Sequence, residues 1–184
     1  MGIEQLMKTT LSVAVLMGAM LAAQMPDKFG YVQTSVTPAT AGVFVDGKYM
    51  GPASLYADKA RAIKVAVGNH RVEIVDPYHA TLVSDFQIAD GQYNEIKQAM
   101  KPNGKAPKNK VSGVLTEGFG EAAVYIDDAY FGHAGRTIDV KPGKFMLKVT
   151  SMDGTILREL KVELRNRETL VLPEEGAPVV RRTQ

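Results

Sequence analysis

The side chains that could do chemistry are few and dispersed in this sequence. Three histidines, His70, His79 and His133, are potential metal ligands, and cysteine is absent. No two of the histidines have a spacing that places both on one strand or helix, as metal sites usually require. We interpret them as surface or turn residues, and the lack of cysteine excludes a thiol nucleophile and disulfide bonds.

Two pairs of adjacent carboxylates, Asp127-Asp128 and Glu174-Glu175, are the other candidates for acid–base chemistry. Adjacent residues on a strand point to opposite faces, and adjacent residues in a turn are solvated, so neither pair forms a site by itself. The chain also lacks a Gly-x-Ser-x-Gly nucleophile motif. The sequence therefore predicts a protein that is not an enzyme, with no catalytic residue, cofactor or metal.

A glycine-containing segment, Gly118-Phe119-Gly120-Glu121-Ala122-Ala123, matches the letters of a dinucleotide-binding loop. Such a loop needs a helix directly after it, because the helix N-terminus binds the pyrophosphate. The residues that follow, Val124-Tyr125-Ile126-Asp127, are typical of a strand. A nucleotide site is therefore disfavoured.

The strongest pattern is a repeat that carries an aromatic pair. Residues 43–51, Val-Phe-Val-Asp-Gly-Lys-Tyr-Met-Gly, return as residues 124–132, Val-Tyr-Ile-Asp-Asp-Ala-Tyr-Phe-Gly. The pair is Phe44 with Tyr49 in the first copy and Tyr125 with Tyr130 in the second. These four are the candidate binding residues, since outward aromatic rings can stack on sugars or anchor a protein. Alternatively, the rings stabilise their own hairpins or pack between the two copies.

Each copy of the repeat has the pattern of a β-hairpin. Asp46-Gly47 is typical of a two-residue type I′ turn, because both residues tolerate positive φ. Asp127-Asp128 lacks the glycine, which predicts a wider turn. Facing residues of a hairpin share one side of the sheet. The facing pairs are then Val43 with Met50, Val45 with Lys48, Phe44 with Tyr49, Val124 with Phe131 and Tyr125 with Tyr130.

The surrounding residues alternate between apolar and polar with a period of two, which is typical of half-buried strands. Gly68-Asn69 and Pro142-Gly143 separate such runs and predict tight turns. Short strands at this density predict an all-β fold, with two tandem small antiparallel β-sandwiches after an N-terminal signal peptide. Only residues 53–61 have a helical pattern. The predicted boundaries are a leader at 24–30, repeat 1 at 31–100, a Lys/Pro linker at 101–110, repeat 2 at 111–172 and a C-terminal tail at 173–184.

The N-terminus predicts export. Lys8 is followed by an apolar segment at 11–23 that ends in small residues, as in a secretory signal peptide cleaved after Ala23. This segment is short for a membrane span, although an uncleaved anchor is the alternative. We therefore expect no membrane span in the mature chain, and a location in the periplasm or at the cell surface. The net charge of +2 predicts no nucleic-acid partner.

The first hairpin and the residues before it resemble the PEGA domain family. Pro38, Ala41, the alternating strand 43–45 and Asp46-Gly47 occupy the places of that family's motif, although its glutamate and glycine are missing. The second copy is divergent and keeps only the alanine, at Ala122, and the strand that follows. The resemblance implies a transthyretin-like β-sandwich in exported, surface-layer-like proteins, and it implies no shared catalytic residue.

Together these observations predict a structural or adaptor protein, or scaffold, of the bacterial cell envelope that acts through protein–protein contacts. Its partner would be an envelope protein or a second copy, bound along the sheet edges. The alternative is a polysaccharide- or peptidoglycan-binding module that uses Phe44, Tyr49, Tyr125 and Tyr130.

Overall fold

A computed structural model describes residues 28–106 and 112–182 of the chain. The predicted signal peptide, most of the predicted leader and residues 107–110 of the predicted linker lie outside the described residues. The described chain is composed of strands, with two short 3-10 helices at Ala53–Tyr56 and Lys59–Arg61, where the helical pattern was predicted. The strands are β1 Phe29–Thr37, β2 Gly42–Val45, β3 Lys48–Pro52, β4 Ile63–Ala66, β5 Gly68–Val75, β6 Leu82–Ile88, β7 Tyr93–Ala99, β8 Ser112–Glu117, β9 Ala123–Ile126, β10 Ala129–His133, β11 Thr137–Val140, β12 Gly143–Thr150, β13 Ile156–Leu164, β14 Glu168–Pro173 and β15 Val179–Arg182.

Repeat 1 is a sandwich of two sheets. One has the strand order β4-β1-β7 and the other the order β3-β2-β5-β6. Strands β1 and β7 run parallel, and every other neighbouring pair in the repeat is antiparallel. The side chains between the sheets form one apolar core, in which Val32, Val43 and Ile74 are fully buried. Burial of these alternating residues is the main stabilising contribution.

Repeat 2 copies this topology. Its sheets have the orders β11-β8-β14-β15 and β10-β9-β12-β13, so that β8 to β14 take the places of β1 to β7. Its own core includes the fully buried Val124, Leu147 and Leu172. The prediction of an all-β chain with two tandem β-sandwiches is therefore confirmed. Strand β15 has no counterpart in repeat 1.

Both hairpins contain a β-bulge that the sequence did not predict. Phe44 faces Tyr49 and Tyr125 faces Tyr130, as predicted, but Val43 faces Gly51 and Val124 faces Gly132. The predicted pairs Val43 with Met50 and Val124 with Phe131 are therefore wrong. One extra residue per hairpin causes the shift. These extra residues, Met50 and Phe131, pack against the core of their own repeat.

The two hairpin turns are alike despite their different sequences. Asp46 and Gly47 have φ values of 51° and 79°, and Asp127 and Asp128 have values of 48° and 63°. Aspartate is one of the few residues with a side chain that tolerates this left-handed region. The second turn thus also has two residues, since Ala129 faces Ile126, and the prediction of a wider turn is wrong.

The first aspartate of each turn also holds the neighbouring strand. Asp46 Oδ1 accepts a hydrogen bond from the Arg71 amide at 2.9 Å, and Asp127 Oδ1 accepts one from the Met146 amide at 2.9 Å. Partial burial alone would raise the pKa of Asp46, but the bonds from Arg71 and His70 keep that pKa below its ordinary value. The duplicated contact explains why both repeats keep an aspartate here.

Two predicted turns differ from the structure. Gly68-Asn69 and Pro142-Gly143 form no tight hairpin turn, because the chain there crosses between the two sheets of a sandwich.

The predicted C-terminal tail, residues 173–184, contains β15, which pairs with β14. Arg158 holds the loop before β15 by donating to the carbonyls of Glu174 and Gly176, at 3.4 and 2.8 Å.

Residues 101–103 of the predicted linker bind to repeat 1. The Lys101 carbonyl accepts a hydrogen bond from the Ala80 amide at 2.8 Å, and Asn103 Nδ2 donates to the carbonyls of Pro77 and His79, each at 3.1 Å. Within residues 28–106 and 112–182, no helix has the length and apolar character needed to span a membrane.

Candidate functional site

The four predicted binding residues lie together between the two repeats. Phe44 and Tyr49 project from β2 and β3 of repeat 1, and Tyr125 and Tyr130 project from β9 and β10 of repeat 2. All four point away from the core of their own sandwich, because core residues occupy the alternate positions. We call this cluster the aromatic interface. It consists of Phe44, Tyr49, Val75, Ala123, Tyr125 and Tyr130.

Tyr130 is at the centre of the aromatic interface. Its ring centroid lies 5.4 Å from that of Phe44 at an interplanar angle of 89°, and 5.5 Å from that of Tyr49 at 40°. It also meets Tyr125 at 5.9 Å and 79°. Edge-to-face and tilted contacts of this kind are favourable, because the positive ring edge meets the negative face of its neighbour.

The interface has the character of a two-fold contact. Tyr49 and Tyr130 are equivalent positions of the repeat and touch each other across it, as residues near a symmetry axis do. The two sandwiches thus use the same face toward each other. Their contact resembles a homodimer interface formed within one chain.

Burial decides what the rings can offer to a ligand. Tyr49 is 5% exposed and Tyr130 is 7% exposed, whereas Phe44 and Tyr125 are half-buried. A sugar that stacks on an aromatic residue needs a free ring face. In this arrangement the other repeat covers the two tyrosines. The binding role of these residues stays a prediction, and their packing between the repeats is what the structure describes.

Gly42 permits the close approach of the repeats, and sequence reasoning missed it. A Cβ atom at this position would lie 2.5 Å from Tyr130 Cζ and 2.7 Å from Tyr130 Oη. Such distances are well inside van der Waals contact, so only glycine leaves room for the ring. Ala123, the equivalent residue of repeat 2, is fully buried in the same cluster. The signal that the sequence offered for this close approach is a small residue directly before each copy of the repeat.

The hydroxyls of Tyr49 and Tyr130 are buried without a hydrogen-bond partner among the described residues. The two phenols lie near enough to affect each other's ionisation. Burial raises the pKa of both phenols far above the ordinary value, and the neighbouring phenol raises that of Tyr49 further. An unpartnered buried hydroxyl costs about 1–3 kcal/mol, so these two groups lower the stability of the interface.

Replacing Tyr49 and Tyr130 together by phenylalanine is therefore expected to leave stability at neutral pH unchanged or higher. Above about pH 10 the unfolded chain ionises its tyrosines, while the folded chain holds these two protonated, so wild-type stability falls as pH rises. The double variant lacks this contribution and should lose less stability between pH 9 and 11. Urea unfolding at both pH values measures the difference. An equal loss in the two proteins would contradict the burial of the phenols.

A second contact joins the repeats beside the aromatic interface. The hydroxyl of Tyr78, in the turn after β5, donates to the carbonyl of Asp139, and its ring packs edge-on against Phe131 at 6.4 Å. Burial, with a smaller contribution from Asp139, raises the pKa of Tyr78 to about 12. A cavity of about 440 Å³ lies next to this contact and is lined by residues of both repeats, including Tyr78 and Lys144, and by Lys105 of the predicted linker.

The residues considered for catalysis are not brought together. His70 Nδ1 is 2.7 Å from Asp46 Oδ2, His79 Nδ1 is 2.6 Å from Asp76 Oδ1, and His133 Nδ1 is 2.8 Å from the Ala134 carbonyl. Within residues 28–106 and 112–182, no group of three or more His, Cys, Asp or Glu residues is arranged to hold a metal.

Two of the three other candidates for chemistry are also accounted for locally. The segment 118–123 leads into strand β9, as predicted, and not into a helix. Asp127 and Asp128 form the hairpin turn, where Asp128 binds Lys148.

Comparisons with protein-family models and with curated proteins give no match to this chain. The resemblance to PEGA domains therefore stays a prediction, and the β-sandwich fold stands on the structure alone.

Proposed function

We propose that this protein is an exported, non-enzymatic structural or adaptor protein of the bacterial cell envelope that acts through protein–protein contacts. The observation that supports this most is the aromatic interface. Because buried rings join the two sandwiches, their sheet edges keep fixed positions relative to each other. An adaptor needs such fixed geometry to hold partners at a defined spacing. The envelope location rests on the N-terminal sequence.

The edge strands supply surfaces for such contacts. β6 and β13 form the outer edges of the larger sheet in repeat 1 and of its counterpart in repeat 2. Each carries exposed apolar side chains: Val83 is 45% exposed, and Ile156 is 55% exposed. An edge strand presents unpaired backbone N–H and C=O groups, on which an extended segment of another protein can add as a further strand. Apolar side chains beside the edge increase the area that such a strand buries.

Site-specific crosslinking in the native cell tests this proposal. A photo-crosslinking residue at Val83 or Leu157, both on edge strands, is expected to give a discrete adduct with an envelope protein. The same residue at Asp90, in the exposed turn between β6 and β7, is the matched control. A proline at Gln87 or Lys161 should then weaken the adduct on its own strand, because proline removes a backbone donor. Adducts of equal yield at Asp90, or none at the edges, would contradict the proposal.

A further inference from the structure

The two repeats differ at one sheet edge. In repeat 2, the edge of β14 is covered by β15, which pairs with it over Glu168 to Val171. In repeat 1, the equivalent strand β7 is the last strand of its three-stranded sheet. Seven residues of β7, Tyr93–Ala99, therefore present one unpaired backbone edge among the described residues. Natural proteins usually protect an edge of this length, because it is a template for another strand.

We propose that β7 pairs antiparallel with β7 of a second copy of this chain, around a two-fold axis at Ile96. The three-stranded sheets of the two molecules then join into one continuous sheet. This inference deepens the proposed function, since it names a second copy as one partner of a sheet edge. A two-fold contact of this kind closes on itself and gives a dimer, because the equivalent edge in repeat 2 is already covered by β15.

The sequence of β7 is self-complementary in this register. With Ile96 opposite its own copy, Glu95 faces Lys97, and Lys97 faces Glu95, on the exposed side of the sheet. Within the described chain neither residue has an ion-pair partner. Opposite charges directly across antiparallel strands stabilise the pair by about 0.2–1 kcal/mol each, and the dimer contains two such pairs. A register shifted to centre on Glu95 or Lys97 would instead place like charges opposite each other.

The inner face of β7 supplies an independent argument. Asn94 Nδ2 is buried and has no hydrogen-bond partner in the described structure. In the proposed register Asn94 faces Gln98 of the second copy, on the same side of the sheet as Ile96. Gln98 is exposed in the single molecule, so its carbonyl oxygen is free to accept from Asn94. Directly opposite side chains lie about 4.5–5.5 Å apart at Cβ, which two amide side chains can bridge. Pairing thus satisfies a buried donor.

The long edge strand β13 is a weaker candidate for self-pairing. Its Glu159 and Lys161 also flank a central apolar residue, Leu160. In that register, however, Arg158 would face Val162, and Arg158 is already bound to the carbonyls of the loop before β15. β13 therefore provides a matched control for charge reversal on an edge strand.

Charge exchange on β7 tests the dimer. Sedimentation of the purified protein at low salt, over a wide concentration range, should show a monomer–dimer equilibrium. Glu95→Lys and Lys97→Glu alone should each weaken dimerisation about tenfold or more, because like charges then face each other twice. The double variant E95K/K97E restores opposite pairs and should recover wild-type dimerisation. The matched double variant E159K/K161E on β13 should dimerise like wild type. Circular dichroism and thermal unfolding establish that each variant is folded.

Three results would overturn the inference: a wild-type protein that stays monomeric throughout, a double β7 variant that remains as weak as the single ones, or a β13 variant that dissociates the dimer. Failure here is distinguishable from failure of the adaptor proposal. The edge crosslinks from β6 and β13 to another envelope protein do not require β7 pairing.

Discussion

Replacing Tyr130 by alanine is expected to lower the free energy of unfolding by about 3–5 kcal/mol, the usual range for removal of a large buried aromatic side chain. The ring contacts Phe44, Tyr49 and Tyr125, so its loss leaves a cavity at the centre of the aromatic interface. The two repeats should then unfold independently of each other, which gives two transitions in urea in place of one cooperative transition. Urea unfolding followed by circular dichroism and tyrosine fluorescence measures both effects.

Two variants control this experiment. Tyr130→Phe keeps the ring and removes only the unpartnered hydroxyl, so it should be as stable as wild type. Tyr93→Ala removes an aromatic ring that is 44% exposed and lies outside the interface, so it should cost much less than Tyr130→Ala. If Tyr130→Ala unfolds in one transition with wild-type stability, the aromatic interface does not join the repeats in solution.

Replacing Gly42 by leucine should disrupt the same contact by steric overlap. The first side-chain atom alone would lie 2.5 Å from Tyr130 Cζ, and the ring cannot withdraw without leaving its aromatic neighbours. Overpacking of this kind costs about 1–3 kcal/mol, occasionally more. The matched control is Ala129→Leu, a change of similar size at an exposed position on β10. Unfolding free energies of the two variants provide the comparison.

A double-mutant cycle separates this overlap from a general effect of leucine on strand β2. If Gly42→Leu acts through the Tyr130 ring, it should cost less in a Tyr130→Ala background, where the space is vacant. Strict additivity of the two changes would show that Gly42 and Tyr130 are not in contact.

Several parts of the fold were predictable from local patterns. The two-residue alternation of apolar side chains is enough to predict strands, because successive strand residues point to opposite faces. Because the hairpin is duplicated with the same alternation of apolar residues, the sequence also predicts two similar sandwiches. The pairs Phe44 with Tyr49 and Tyr125 with Tyr130 also follow from the turn position and strand geometry, and the structure confirms both.

Other features depend on contacts that no local pattern specifies. The bulges at Met50 and Phe131 depend on how these two side chains pack against separate cores. The crossing at Gly68 resembles a hairpin in sequence, because alternation is the same whether consecutive strands pair or lie in opposite sheets. Strand β15 forms on an existing edge of β14, and its own four residues, all exposed, have little apolar burial to predict it.

The sequence by itself determined the strand content, the duplication and the sides to which the repeated aromatic pairs point. Only the tertiary structure decided that these outward faces cover each other, and that among the described residues β7 keeps a free edge while β14 does not. The physical reason is that the alternation of apolar and polar residues indicates only which face of a strand is buried in its own core. It carries no information on whether the opposite face meets water or a second domain, which depends on the approach of distant residues such as Gly42 and Tyr130.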